Sequence, residues 1–213
     1  MLEVFLTALV TFFVVIDPPG VTPMFATLTQ DMPPAWRTLM AWKSVLIATA
    51  ILLGFAFGGE WVLDKLHVSL DSFRIAGGLL LFLIALDMLF ETRSQRRQAR
   101  NARVIEERRA HPGEHEDISV FPLAIPLIAG PGSIASIMLL FAQHAEWTAR
   151  AAILAGVGAN LALTLIVFLI AARVSQLMSA TLAAIVTKVF GILLAALAAQ
   201  FVVDGIKGAF GLA

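Results

Sequence analysis

The stretch from Phe12 to Leu28, FFVVIDPPGVTPMFATL, places an acid, three prolines and a glycine inside the first apolar run of the chain. Proline has no amide proton, and its ring clashes with the carbonyl four residues before it, so a regular helix cannot continue through Pro18 and Pro19. The helix that enters this stretch is predicted to end near Ile16. Such an interruption is costly in a segment that is apolar enough to enter a bilayer, and it therefore calls for a functional explanation.

The composition is that of an integral membrane protein. The 213 residues are 59% hydrophobic and 14% charged, whereas soluble domains are about 45–50% apolar and about 25% charged. Six apolar stretches each supply the roughly 20 residues that a helix needs to cross a bilayer. Together they leave no room for a sizeable soluble domain. The predicted spans are residues 2–29, 39–58, 72–91, 120–143, 149–172 and 183–206.

Several classes of function are disfavoured by what the sequence contains. The formal net charge is zero, which gives no electrostatic reason to bind nucleic acid, and the absence of cysteine excludes disulfides and thiol nucleophiles. No phosphate loop, nucleophile elbow or metalloprotease pattern is present, so the sequence predicts neither an enzyme nor a cofactor. The first ten residues carry Glu3 and no basic residue and so lack the basic region of a signal peptide; residues 1–16 are expected to belong to the mature protein.

The basic residues predict the orientation in the membrane. Seven of the fifteen Lys and Arg lie in the linker 93–119. If that linker is cytoplasmic, alternation of the six spans places eleven basic residues inside and four outside. The positive-inside rule then predicts that both termini lie outside.

The chain contains an internal repeat. VVIDPPGVTPMF in the first span is echoed by PLIAGPGSIASIM in the fourth, and RIAGGLLLFLIA in the third by KVFGILLAALAA in the sixth. Each unit has three spans, an odd number, so the two halves must lie in opposite senses across the membrane. The alternative is a chance likeness between apolar helices. The predicted fold is all-α, with two inverted three-helix repeats, 1–92 and 120–213, joined by the charged cytoplasmic linker 93–119, and with the first and fourth helices broken at Pro/Gly loops.

The two breaks have the chemistry of a binding site. Thr22 before Pro23 resembles an N-cap with proline at the first helical position, and Ser133 can cap the restart in the fourth span. Each break exposes carbonyls where one half-helix ends and amides where the next begins. Amides attract an anion and carbonyls a cation, so a zwitterion of amino-acid size satisfies both. Gly20 and its counterparts in the second break allow a ligand to approach the backbone closely. The alternative is a pair of proline kinks that only shape packing.

Asp17 has two interpretations. An ionisable group at membrane depth is by default a functional candidate, which contacts the substrate ammonium or carries a proton; alternatively, Asp17 caps the amides of its own loop. Asn160, Thr164 and Gln200 either form hydrogen bonds between helices or line the cavity. Asp87 is expected to be an interfacial charge. The candidate substrate-binding residues are Asp17, Pro18, Pro19, Gly20, Thr22, Gly130, Pro131, Gly132, Ser133 and Asn160.

The linker motif HPGEHED (111–117) holds two histidines and three acids. This set is able to bind a metal, but charged segments without periodicity are typically solvated. No metal site is predicted there. The arginines that precede the motif are expected to face anionic lipid head groups.

The motifs DPPGVTPMF and FPLAIPLIAGPGSIASIM together resemble the MarC family of bacterial inner-membrane proteins, which is related to small neutral amino-acid transporters and, more distantly, to LysE-type exporters. The resemblance covers nearly the whole chain. It implies two inverted three-helix repeats whose first and fourth helices are unwound, a location in the bacterial inner membrane, and a site at Asp17-Pro18-Pro19-Gly20 and Gly130-Pro131-Gly132.

The predicted function is that of a secondary transporter, an exporter or exchanger of small neutral amino acids such as glycine, alanine, serine or threonine. Its partners are a small zwitterionic substrate and the lipid bilayer, and the sequence leaves open whether it is a homo-oligomer. The alternatives are a channel for a small uncharged solute and a membrane scaffold that transports nothing.

Overall fold

The computed structural model describes residues 1–30, 32–90, 117–173 and 180–211, and the elements in these ranges are all helical. A π-helical segment, hereafter the proline-rich segment, replaces the first part of the fourth span. The elements are α1 (Leu2–Ile16), α2 (Pro18–Thr29), α3 (Pro34–Lys65), α4 (Leu70–Leu89), the proline-rich segment (Ser119–Ile128), α5 (Pro131–Gln143), α6 (Trp147–Arg173) and α7 (Ala180–Phe210).

The helices agree with the predicted number of spans. Among the described residues, five helices are long and apolar enough to cross a bilayer, with α1 and α2 counted together, and the bent pair formed by the proline-rich segment and α5 makes a sixth. The protein is therefore an all-helical, multi-pass membrane protein. The largest difference is in the second span, predicted at residues 39–58: α3 covers 32 residues and not 20, because its polar ends continue the helix beyond the apolar stretch.

The third and sixth spans pack as an antiparallel pair through small residues. A β-carbon at Gly78 of α4 would lie 2.8 Å from the Ala198 carbonyl oxygen of α7, and one at Gly205 of α7 would lie 2.8 Å from the Asp71 carbonyl oxygen of α4. Nearer the other end, Gly191 approaches Met88 in the same way. The absence of side chains at these positions is what lets the two backbones approach.

The remaining spans form two further pairs. α6 packs along α1 and α2, and α3 packs along the proline-rich segment and α5. At the first of these contacts, a β-carbon at Gly156 of α6 would lie 2.9 Å from the amide nitrogen of Leu9. At the second, a β-carbon at Gly59 of α3 would lie 2.7 Å from Met138 Cγ. Small residues thus permit close packing in both pairs.

Helix α3 carries an ion pair near each end. Lys43 Nζ lies 2.9 Å from Asp117 Oδ2, just before the proline-rich segment. Glu60 Oε2 lies 3.6 Å from the guanidinium of Arg150 on α6. The same guanidinium donates to the His144 carbonyl over 2.8 Å, beyond the end of α5. The ends of α3 are thereby attached to different parts of the chain.

Asp117 is a strongly acidic group in this arrangement. It accepts hydrogen bonds from the hydroxyl and the amide of Ser119, and its other oxygen pairs with Lys43. The hydroxyl hydrogen bond from Ser119, followed by the one from Lys43, lowers the pKa of Asp117 to about 2. The carboxyl group therefore stays ionised well below the usual range of aspartate.

Candidate functional site

Asp17 alone separates the two helices of the first span. Its backbone is in the left-handed region, with φ 56° and ψ 62°, and its side chain is 1% exposed. The amide of Gly20 donates to Asp17 Oδ1 over 3.1 Å, which makes Asp17 the N-cap of α2. This is the capping interpretation of Asp17. Contact of Asp17 with a ligand or proton stays a prediction.

The first span restarts earlier than the sequence predicted. α1 ends at Ile16 as expected, but α2 begins at Pro18, and Pro23 lies inside it. The N-cap prediction for Thr22 is therefore wrong; its hydroxyl donates to the Pro18 carbonyl over 2.6 Å. The reason is that prolines at the first helical positions need no amide proton, so a capping residue placed directly before them can start the helix.

The two adjacent prolines leave acceptors at the end of α1. In a regular helix the carbonyls of Val14 and Val15 accept the amides four residues later, which are here the prolines and have no proton. Regular backbone bonding resumes with the Val21 amide, which donates to the Asp17 carbonyl over 2.9 Å. Two carbonyls without their usual helical donors therefore lie where α1 ends.

The second interruption separates the proline-rich segment from α5. The two elements meet at an angle of 55°, and α5 begins at Pro131 with Gly130 in an extended conformation as its N-cap. The expectation that Ser133 caps this restart is wrong, because its hydroxyl instead donates to the Ile128 carbonyl over 2.8 Å. No side chain caps α5, and the amides of Gly132 and Ser133 lie in its first turn.

The proline-rich segment is irregular. Phe121 and Ile125 have extended backbone angles inside it, and each precedes a proline in a cis peptide bond. Its backbone bonds span five residues, as between the Ala129 amide and the Ala124 carbonyl over 2.9 Å. The fourth span thus departs from α-helical geometry along the whole segment that precedes α5.

The glycines at the interruptions are required by the protein's own packing. A β-carbon at Gly20 would overlap the Asp17 carboxylate, one at Gly130 would lie 2.6 Å from the Pro126 carbonyl oxygen, and one at Gly132 would lie 2.8 Å from Ile84 Cδ1. On this side of each α-carbon, the atoms that approach closely belong to the protein. Contact of these glycines with a ligand stays a prediction.

The two interruptions lie against each other. A β-carbon at Gly132 would lie 3.0 Å from Val15 Cγ1 and 3.3 Å from Leu81 Cδ2 of α4. Val15 is two residues before Asp17, and Gly132 is the second residue of α5. The carbonyl end of α1 and the amide end of α5 are therefore neighbours, with α4 packed against α5.

Helix α6 packs along the first span and runs parallel to it. The side-chain amide of Asn160 donates to the Leu9 carbonyl over 2.8 Å. Farther along α6, the ring of Phe168 stacks on Phe25 of α2, with centroids 4.3 Å apart. Thr164 lies between these contacts and donates to the Asn160 carbonyl over 2.8 Å. Asn160 therefore forms the helix-to-helix bond that was one of its two interpretations.

The other polar candidates do not join these residues. Gln200 is exposed and donates to Asp204 one turn farther along α7, over 2.8 Å. Asp87 is half-buried in the last turn of α4. Most of HPGEHED lies outside the described residues, and within them no three His, Asp or Glu side chains are grouped to hold a metal ion.

Two tryptophans on α3 indicate the depth of the interruptions. Trp42 and Trp61 are both exposed and lie nineteen positions apart, or about 28 Å at the helical rise. Exposed tryptophans favour the two interfaces of a bilayer, so Leu52 lies near mid-depth. Along α3, the ion pair with Asp117 and the ring contact of Phe57 with Phe141, with centroids 5.4 Å apart, lie on either side of Leu52. We therefore expect the second interruption near mid-depth.

The apolar residues that pack against the second interruption were not predicted from the sequence. Val15 and Leu81 contact Gly132 only because of the tertiary fold, and no local signal marks them.

The fold and site define the class of the chain, a polytopic helical membrane protein whose first and fourth spans deviate from regular helix next to each other. Residues 2–210 match the model of the MarC family integral membrane protein, and the chain belongs to that family.

Relatives in this family come from archaea and bacteria. The chain is 38% identical over 208 residues to a UPF0056 membrane protein of Methanocaldococcus jannaschii, and the aligned region covers 98% of each chain. It is 33% identical over 207 residues to the UPF0056 membrane protein YvbG of Bacillus subtilis, covering 94% of this chain and 93% of that one. No solved structure matches the chain.

Proposed function

We propose that the chain is a secondary transporter, an exporter or exchanger, that moves small neutral amino acids such as glycine, alanine, serine or threonine by alternating access. One observation carries the proposal, the packing of Val15 beside Gly132, where a β-carbon on the glycine would lie 3.0 Å from Val15 Cγ1. This contact places the end of one half-helix beside the start of another, at a depth where lipid offers no hydrogen bonds.

The electrostatics of this contact suit a zwitterion. The carbonyls of Val14 and Val15 give the end of α1 a negative pole, and the uncapped amides of Gly132 and Ser133 give the start of α5 a positive pole. Half-helix ends of this kind bind anionic groups at their N-termini and cations at their C-termini in secondary transporters. The proposed pose places the substrate carboxylate at α5 and its ammonium at α1, next to Asp17.

The packing supports two repeats in opposite senses. The first span packs on the fifth, the fourth packs on the second, and the third packs on the sixth. Exchanging each span with the one three places away leaves this set of pairs unchanged, as a two-fold relation between residues 1–92 and 120–213 requires. Alternating access by exchange of conformation between two such repeats is the mechanism we propose.

The orientation belongs to the same proposal. Lys43 lies beside Asp117 at the end of α3 that faces the linker, and Arg150 lies beside Glu60 at the other end. A cytoplasmic linker then puts both termini on the outer face, in the plasma membrane of the cell. Reaction of a tag at Met1 with an impermeant reagent in intact cells tests the orientation alone.

Ligand-dependent stability tests the proposed substrate. Ten dissociation constants of free ligand stabilise a protein by about 1.4 kcal/mol, which for a chain of this size raises the Tm by roughly 3–6 °C. Purified protein is expected to gain this shift with millimolar glycine, alanine or serine and no shift with lysine or glutamate. Flat melting curves with every neutral amino acid would contradict the proposal.

Counterflow in liposomes separates transport from the alternatives. A transporter loaded with unlabelled alanine accumulates labelled alanine transiently above equilibrium, a channel does not, and a scaffold shows no flux. Gly132→Ala, which pushes Val15 and Ile84 away, is expected to abolish counterflow. Gly54→Ala on α3, where a β-carbon meets nothing within 4 Å, is the matched control and is expected to keep it.

A further inference from the structure

Two buried hydroxyl groups lie outside the site described above. Thr11 Oγ1 on α1 and Ser136 Oγ on α5 belong to residues that are 1% and 0% exposed, and neither has a hydrogen-bond partner among the described residues. Other buried hydroxyls do have one: Thr29 donates to the Phe25 carbonyl over 2.8 Å and Ser44 to the Ala41 carbonyl over 3.0 Å. Burying a hydroxyl without a partner is costly, so this pair requires an explanation.

From the helix register we expect the two hydroxyls to lie side by side. α6 runs parallel to the first span and follows α5 after a short turn, so α1 and α5 are antiparallel. Val15 and Gly132 are in contact across this pair of helices. Thr11 lies one turn before Val15 on α1, and Ser136 lies one turn after Gly132 on α5. Because the two helices are antiparallel, both residues are displaced from the Val15–Gly132 contact in the same direction.

We propose that Thr11 and Ser136 form a polar subsite between α1 and α5, one helical turn on the N-terminal side of the Val15–Gly132 contact. Each hydroxyl donates one hydrogen bond and accepts others. The group that bridges them is therefore neutral and hydrogen-bonding, either a water molecule or the polar end of a small solute. A buried water needs two to four polar partners, and this pair supplies two.

The position of the subsite gives it a role in the proposed transport path. It lies toward the N-terminus of α1, the outer face in the predicted orientation, and about 5.4 Å beyond the interruptions. A solute that leaves the half-helix ends in that direction meets these hydroxyls next. The transport role rests on the proposed function, whereas the binding of a neutral polar group does not.

A double-mutant cycle tests the subsite without reference to transport. Thr11→Val and Ser136→Ala remove one hydroxyl each. If the two share a bridging group, each variant lowers the Tm, and the double variant loses clearly less than the sum of the two losses, because the second change removes an interaction already broken. Thr29→Val and Ser44→Ala, with separate carbonyl partners, are the matched pair and are expected to be additive.

The opposite results would overturn the subsite. If the hydroxyls are dry and unbridged, their removal relieves a buried unsatisfied group, and both single variants raise the Tm. Simple addition of the Thr11 and Ser136 losses would likewise show that nothing joins them. Either outcome refutes the subsite, even if counterflow with alanine succeeds.

A second experiment identifies the source of the polar group. The chain has no native cysteine, so Thr11→Cys and Ser136→Cys each introduce a single thiol. Both are expected to react with a small water-soluble methanethiosulfonate at least tenfold faster than Thr29→Cys and Ser44→Cys. Slowing by millimolar alanine identifies the solute as an occupant, and unchanged rates identify water. Rates equal to those of the two controls would contradict the subsite.

Discussion

The carboxylate of Asp17 fills the space that a β-carbon of Gly20 would take, while its Oδ1 accepts the Gly20 amide over 3.1 Å. The two residues therefore form one unit, in which the acid caps α2 and the glycine makes room for the acid. The first interruption depends on this unit.

Gly20→Ala is expected to destabilise the protein, because the new methyl group displaces the capping carboxylate. Loss of an aspartate cap costs about 1–2 kcal/mol, and Asp17→Ala is expected to cost a similar amount. Asp17→Asn retains a side-chain oxygen and tolerates the left-handed backbone, so it is expected to be nearly neutral. Thermal unfolding in detergent measures all three.

The same pair predicts non-additivity. Once Asp17→Ala has removed the carboxylate, Gly20→Ala has nothing left to displace and is expected to add little further loss. If the two losses simply add, Gly20 is required for a reason other than the cap.

Gly156→Ala is expected to be destabilising, whereas Gly158→Ala, two residues farther along α6, is expected to be neutral or slightly stabilising. A β-carbon at Gly156 would lie 2.9 Å from the Leu9 backbone nitrogen, which cannot move without shifting α1; one at Gly158 would meet nothing within 4 Å. Alanine at the open position gains up to about 1 kcal/mol of helix propensity. Equal Tm values for the two variants would show that α1 and α6 are not packed this closely.

The ion pair of Asp117 predicts a pH dependence at the end of α3. Because the pKa of Asp117 is lowered to about 2 from 3.8, its ionised form stabilises the fold above the unfolded value. This contribution is lost as the pH falls from about 4 to about 2. Asp117→Asn is expected to flatten the Tm profile in that window. The pair is exposed, so the difference is expected to stay below about 1 kcal/mol.

Thermal scans from pH 2 to pH 5 on the two proteins provide the measurement. Lys43→Gln removes the partner and keeps the carboxylate, so it is expected to raise the folded pKa and narrow the window from its acidic side without abolishing it, since the Ser119 hydroxyl still lowers the pKa. Parallel profiles for all three proteins would contradict this account of the ion pair.

Phe168→Ala is expected to separate α2 from α6. Both Phe25 and Phe168 are fully buried, and their rings stack with an interplanar angle of 9°. Truncation of a buried phenylalanine costs about 3–5 kcal/mol in protein cores. Phe82→Ala on the exposed side of α4, where the side chain is 39% exposed, is the control and is expected to cost much less. Similar Tm losses would mean that the stack contributes nothing specific.

At the first interruption, the predicted end of α1 was correct, because it depends only on the covalent structure of the prolines. The predicted start of α2 was wrong, because two positions in the sequence are able to begin a helix. Pro18 and Pro19 forbid a regular helix by their own covalent structure, and α1 ends at Ile16 as expected. For the restart, Asp17 before Pro18 and Thr22 before Pro23 are both acceptable caps. The structure uses the earlier one, and sequence pattern alone does not distinguish them.

The contacts between the interruptions were beyond local reasoning. The repeat predicted that the two Pro-Gly sequences correspond, but not that Val15 would pack beside Gly132. That contact depends on how α1, α4 and α5 pack, and apolar spans are too similar in composition for their faces to be assigned from one sequence. At the glycines, the sequence predicted a close approach to the backbone, and the structure shows one by protein atoms; contact with a ligand stays a prediction.

Helix α3 forms an ion pair near each end, between Lys43 and Asp117 and between Glu60 and Arg150. Each ion pair is solvent-exposed and contributes roughly 1 kcal/mol or less to stability. Thermal fluctuations therefore break either pair readily. In the proposed alternating-access mechanism, a tilt that separates α3 from the proline-rich segment must break the pair of Lys43 with Asp117 and leaves the pair of Glu60 with Arg150 as the hinge. The opposite tilt exchanges the two pairs, so we expect the intact pair to lie on the side of the bilayer that stays closed.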